Sequence, residues 1–248
     1  MGEVEEKSVE EVCHKLLDDI EGVLGIAVRA PDDLKIERVS SRKSPRGYYD
    51  RSTRVLKLND AEGWCRSTLI HELLEAASFF NCNLRFKVKG KVYNIASHMS
   101  SQTRCWMIAE LWCSLLQGLV LFHKYPNCYE SWVERKYPYC SLAYNGVSMK
   151  IFACMALITG GLRELVELYL YPCTEDWLSK YQGFLRKHGL DDFIFIKIKG
   201  VNLNFRSLEY INVIKRSLER NFKPKYKECF HKKPLSEILN EIYSSYHP

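Results

Sequence analysis

Apolar and polar positions repeat with two different periods along this chain, and the changes of period mark out its elements. From Ser8 to Ile20 apolar residues recur every three or four positions, which predicts an amphipathic helix with Ser8 as N-cap and Glu11 at the capping-box position. Gly22 and Gly25 are expected to end it. Gly25–Arg29 and Leu34–Val39 read as short strands around a Pro31-Asp32-Asp33 turn, and Arg54–Asn59 alternates as a further strand beyond a basic loop, Ser40–Arg46. Leu84–Val88 and Lys91–Ile95 read as a hairpin across Lys89-Gly90. Helical spacing then takes over. It runs from about Ser100 to Lys124, then through Cys128–Lys136, Val147–Ile158, Leu162–Leu170, Glu175–Lys187, Ser207–Asn221 and Leu235–Tyr246. One strand, Phe193–Lys199, interrupts the series. The fold class expected is α+β, a small mixed sheet followed by a mainly helical C-terminal part. Gly160-Gly161 divides a core, 1–160, from a basic helical region, 161–248.

The stretch Thr68–Ser78 departs from ordinary amphipathicity because it is apolar nearly all the way round. Leu69, Leu73, Ala76 and Phe80 line one side, and Ile70, Leu74 and Ala77 the next. What remains is one narrow polar stripe of Thr68, His71, Glu72, Glu75 and Ser78. His71 and Glu75 stand four apart and so project from the same face. No Lys or Arg occurs between Arg66 and Arg85, so neither glutamate has a basic partner on its own helix. Burying both unpaired would cost several kcal/mol, so water, a distant cation or a metal ion must meet the stripe. The plainest alternative is a half-exposed helix carrying a solvated i,i+4 pair.

Glu110 poses the same problem. It is the one charged residue between Arg104 and Lys124, on a helix apolar on most sides, and Trp106, Met107, Cys113 and Ser114 around it cannot neutralise it. A cation between the two helices would satisfy both sites. The run Cys105–Phe122 contains Glu110, Ser114 and Gln117, which favours a buried helix over a membrane span.

The order of these residues resembles the zincin metallopeptidases. A strand ending near Asn59 is followed by STLIHELLEAAS and then by a lone glutamate in WMIAELWCSLL. The likeness covers roughly residues 47–118 and is greatest to short zincins whose third ligand is a Glu on the next helix. It implies zincin-like active-site helices and an edge strand in GYYDRSTRVLKLND that pairs with an extended peptide or protein substrate. By position it implies His71 as a metal ligand, Glu72 as the general base, and Glu110 as a further ligand. The family motif ends in His where this chain has Glu75. A carboxylate there still faces the metal but is a harder ligand. The resemblance implies Zn²⁺, while the harder ligand weakens that selectivity so that Mn²⁺ or Fe²⁺ is also compatible, and a bound water would be less acidic. His98 could restore the ligand count. If the site has decayed, a basic side chain fills it and no metal binds.

Charge adds a second function class. The net charge is +6, yet residues 1–33 carry ten acids against three bases, and residues 197–233 carry eleven Lys and Arg against three acids. Lys215, Arg216, Arg220, Lys223, Lys225 and Lys227 alternate with Phe222, Tyr226 and Phe230, a mixture suited to phosphates and unstacked bases. The alternative to a peptidase is thus an inactive zincin-like module that binds nucleic acid or protein through this region. A two-metal carboxylate bundle ranks last, because no Glu-x-x-His pair is present.

Ten cysteines occur without any Cys-x-x-Cys pair, which excludes a zinc ribbon. Cys105, Cys113 and Cys154 read as buried apolar thiols. The acidic start, Met1–Glu11, lacks an apolar signal core, so a soluble cytoplasmic protein is expected, with no membrane partner. Gln occurs three times among abundant Lys, Arg, Glu, Ile and Tyr, a bias of hyperthermophile proteins that suggests an archaeal or archaeal-virus source.

Overall fold

The computed structural model describes residues 9–42, 46–50, 53–61, 65–78, 85–88, 91–94, 104–135, 145–160, 162–170 and 218–247, with isolated positions between 180 and 216. For 85–88, 91–94 and 104–112 it describes the backbone alone. The architecture is α+β: a small mixed sheet set against helices, followed by a helical C-terminal part.

Helix α1, Val9–Leu24, buries Cys13, Leu16, Ile20, Val23 and Leu24 along one face. It runs through Gly22, where the sequence suggested a break. The cost of an internal glycine, about 1 kcal/mol, is small beside that apolar stripe. Gly25 ends the helix instead, at φ 62°, with its N–H bonded to Glu21 O at 2.8 Å. The strand expected at Gly25–Arg29 does not form. There the Val28 N–H turns back to Glu21 Oε2 at 3.2 Å and joins no ladder.

Three strands make the sheet: β1, Lys35–Val39; β2, Gly47–Asp50; and β3, Val55–Asn59. Their order is β1-β3-β2. β1 pairs parallel with β3 from Lys35↔Val55 to Val39↔Asn59, and β2 pairs antiparallel with it from Gly47↔Leu58 to Asp50↔Val55. Residue periodicity did not mark β2 as a separate strand. Its four residues are too few to show alternation, and pairing with β3 defines it. Asn59 closes β3, fully buried, with Nδ2 donating to Ser41 O at 2.6 Å and Oδ1 accepting from the N–H groups of Ser41 and Ala61. A second sheet is the expected hairpin, β4, Arg85–Val88, and β5, Lys91–Asn94.

Helix α2, Arg66–Ala77, packs between β2, α1 and the long helix α3, Arg104–Lys124. α3 is interior over its last half, where Cys113 to Leu121 are buried. No helix among the described residues is long and apolar enough to cross a membrane. Then follow α4, Pro126–Val133; α5, Asn145–Thr159; and α6, Leu162–Tyr169, with Gly160 at φ 63° closing α5. The C-terminal end comprises α7, Lys223–Lys227, a π-helical turn, Glu228–Lys232, and α8, Leu235–Tyr246.

One buried cluster spans these elements. It joins Leu16 and Ile20 of α1, Leu73 of α2, Val120 of α3 and Phe152 of α5 to Ile238 and Ile242 of α8. Cys154, expected as a free apolar thiol, is joined in a disulfide to Cys229 in the π-helical turn. His247 Nε2 donates to Val23 O at 2.7 Å, so the last helix is also tied to the first.

Candidate functional site

The polar stripe of α2 faces inward. Glu72 is 7% exposed and Glu75 5%, with Ser78 buried beside them and His71 half-buried. These values replace the solvated i,i+4 pair with carboxylates held inside the protein. At the end of the helix the Ser78 hydroxyl donates to Glu75 O at 2.7 Å.

Glu72 is held from the sheet side, where its Oε2 accepts the backbone N–H of Tyr49 at 2.7 Å. A carboxylate accepting a backbone amide makes a charge-assisted bond, stronger than a neutral one. That contact requires β2 to lie close against α2, and Gly47 makes the approach possible. A Cβ at position 47 would come within 2.7 Å of Thr68 Cγ2.

His71 is held from the other side. Its Nδ1 lies 3.4 Å from Cys113 Sγ, and the same thiol donates to His71 O at 3.4 Å. One turn away, Gln117 Nε2 donates to Ser67 O at 2.6 Å. These contacts pair 71 with 113 and 67 with 117, so α2 and α3 run antiparallel. Carried one turn further at the same register, positions 109 and 110 of α3 come abreast of 75 and 74 of α2 respectively. The backbone of Glu110 is helical, while its side chain and all of His98 lie outside the described residues. Among the described residues no three His, Cys, Asp or Glu side chains converge as a metal site.

Sequence reasoning missed three participants. Cys113 was assigned to the apolar core, although its place three residues after Glu110 on one helix face was a readable signal. The Tyr49 amide could not be found from side-chain chemistry. Cys65, at the N-cap of α2, lies 3.0 Å from the Ser67 hydroxyl and 3.5 Å from that of Thr68. Burial opposes ionisation of this thiol. Hydrogen bonds from Ser67, from the Thr68 side chain and backbone, and from Arg135 outweigh it, and the pKa falls to about 6. Cys13 shows the opposite case, where burial and then Glu10 raise the thiol to about 11.

In the basic region Arg216, Arg220, Lys223, Lys225 and Lys227 are exposed and Lys215 is half-buried. The interleaved aromatics do not form an exposed stacking surface. Tyr226 is wholly buried, Phe222 and Phe230 are half-buried against the core, and Tyr226 stacks on Phe230 at 5.3 Å. Part of the charge is internally matched: Lys232 pairs with Glu228 at 2.6 Å, and Lys233 pairs with Glu237 and Glu241. Set against known proteins, the chain stands apart: no family model matches it, and neither does any curated protein or solved structure.

Proposed function

We propose that the α2–α3 seam is the centre of a zincin-like, metal-dependent peptidase. One observation supports the reading: the antiparallel register set by the His71–Cys113 and Ser67–Gln117 contacts, which sets the turn of α3 that carries position 110 against the turn of α2 that carries the buried Glu75. His71, Glu75 and Glu110 would hold the metal, with Zn²⁺ favoured and Mn²⁺ or Fe²⁺ compatible with so many oxygen donors. The metal supplies Lewis-acid polarisation of the substrate carbonyl. The donor chemistry fits in part. Engagement of Nδ1 by Cys113 fixes the imidazole, as contacts behind a histidine ligand usually do, and Nε2 would be the atom to bind the metal. Glu72, rotated about 100° from His71 on the helix, takes the proton of the attacking water, and its bond to Tyr49 orients it. β2, the edge strand it touches, is where an extended peptide would lie.

A second reading has its own support in the Glu72–Tyr49 bond. Under it Glu72 is a pin between sheet and helix, the site is idle, and the chain binds nucleic acid or protein through Lys223, Lys225 and Lys227. Metal analysis after zinc loading, together with Glu72→Gln, separates the two. The peptidase reading expects stoichiometric metal, hydrolysis of a peptide library, and loss of hydrolysis by about 10²-fold or more in Glu72→Gln with metal content intact. Wild type that stays metal-free, with Glu72→Gln altering only stability, rejects it.

A further inference from the structure

A groove of about 950 Å³ lies away from the α2–α3 seam, between α4, α5, the π-helical turn and α8. Its volume is near the top of the range for small-molecule sites, roughly 300–1,000 Å³. Tyr129 and Val133 of α4, Val147 of α5, and Leu235 of α8 give it apolar walls, and Phe230 supplies an aromatic face. Val147 is 49% exposed, the one large hydrophobic residue so exposed among the described residues.

Two cations flank that aromatic face. Lys150 Nζ lies 5.3 Å from the centre of the Phe230 ring and Lys215 Nζ lies 5.4 Å from it. Neither makes an ion pair with a described carboxylate, although Glu134 also lines the groove. Burial holds the Lys150 ammonium below its ordinary value, so a nearby anion would restore what desolvation takes away. The ring that both lysines lie over is set by the π-helical turn, a rare element that recurs at functional sites. The adjacent Cys229 fastens that turn to α5 through the disulfide.

We propose that this groove binds an amphiphile with one acidic headgroup, of the long-chain carboxylate class. The headgroup sits between Lys150 and Lys215 above Phe230, and the tail lies along Val147, Val133 and Leu235. The paired ammonium groups select an anion over a cation. The apolar run of Val133, Val147 and Leu235 suits a hydrocarbon body, so the ligand is a small molecule with a single charged end.

The test is displacement of a dansyl-labelled undecanoate by dodecanoate on the full chain, below the micelle concentration of either. Dodecanoate should displace the probe at one site per chain. Lys150→Met should weaken it by about tenfold, the loss of one charge-assisted contact, and Lys150→Arg should retain most of the affinity. Val147→Asp, at an exposed position that tolerates change, should weaken it comparably. Dodecyltrimethylammonium, with the same tail and the opposite charge, should compete poorly. Failure of dodecanoate to displace the probe overturns the proposal, as does equal competition by the cationic surfactant. Wild-type binding by both Lys150→Met and Val147→Asp overturns the location. A hydrophobic peptide with a free C-terminal carboxylate that outcompetes dodecanoate overturns the ligand class.

Discussion

At the scale of single residues, two side chains carry measurable consequences. Cys65 is depressed from an ordinary value of 9.0 to about 6, so it is a thiolate at neutral pH while Cys13 remains a thiol. Alkylation by iodoacetamide, mapped to the Cys65 peptide, should rise between about pH 5 and 7 with a midpoint near 6, and Arg135→Gln should move that midpoint upward. The stability it contributes follows the same titration. A folded-state pKa below the unfolded one gives a contribution complete above pH 9.0 that diminishes as pH falls and is gone below about 6. Tyr226 is the second case. Its hydroxyl is buried with no hydrogen-bond partner among the described residues, and burial, with Glu219 adding to it, pushes its pKa far up. Tyr226→Phe should therefore stabilise the protein by about 1 kcal/mol, raising Tm by about 2–4 °C in a thermal melt.

At the scale of elements, the decisive junction is β2 against α2. Gly47→Ala should cost about 1–3 kcal/mol through overpacking against the Thr68 methyl group. Thr68→Ser, which deletes that methyl, should recover most of the loss in the double variant. A urea titration giving simple additivity would show that the two positions do not press on each other. This junction also shows what the sequence made legible. α2, β3, α5 and α8 were readable, because each has enough residues for its period to show, and the β4–β5 hairpin was readable from the Lys89-Gly90 turn signal between two short runs. β2 was not, since four residues hold no pattern and only the partner strand defines them. The inward turn of Glu72 and Glu75 was half legible. A helix apolar on nearly every side must be buried, but that Glu72 bonds a main-chain amide depends on a long-range approach that spacing along one helix cannot encode. The aromatics near the C-terminus misled for a related reason. Phe222, Tyr226 and Phe230 recur at helical spacing, and that spacing served burial more than display.

At the scale of the whole molecule, the helical C-terminal part shares a core with the sheet and its helices, and the Cys154–Cys229 bond reinforces it. A disulfide inside a fold is usual in oxidising compartments and also in the intracellular proteins of hyperthermophiles. Its cysteines are 75 residues apart, so the chain-entropy model assigns the crosslink about 4.5 kcal/mol. Cys229→Ser should lower stability by about that amount in a denaturant titration. The bond also makes the backbone between positions 154 and 229 a closed ring, and a ring can be cut once without falling apart. Protease nicking at any one peptide bond within it should yield a two-chain molecule that migrates as a single species until a reductant is added and then separates into two fragments. The same nick in Cys229→Ser should release its fragment with or without reductant, so a pair of gels reads this crosslink.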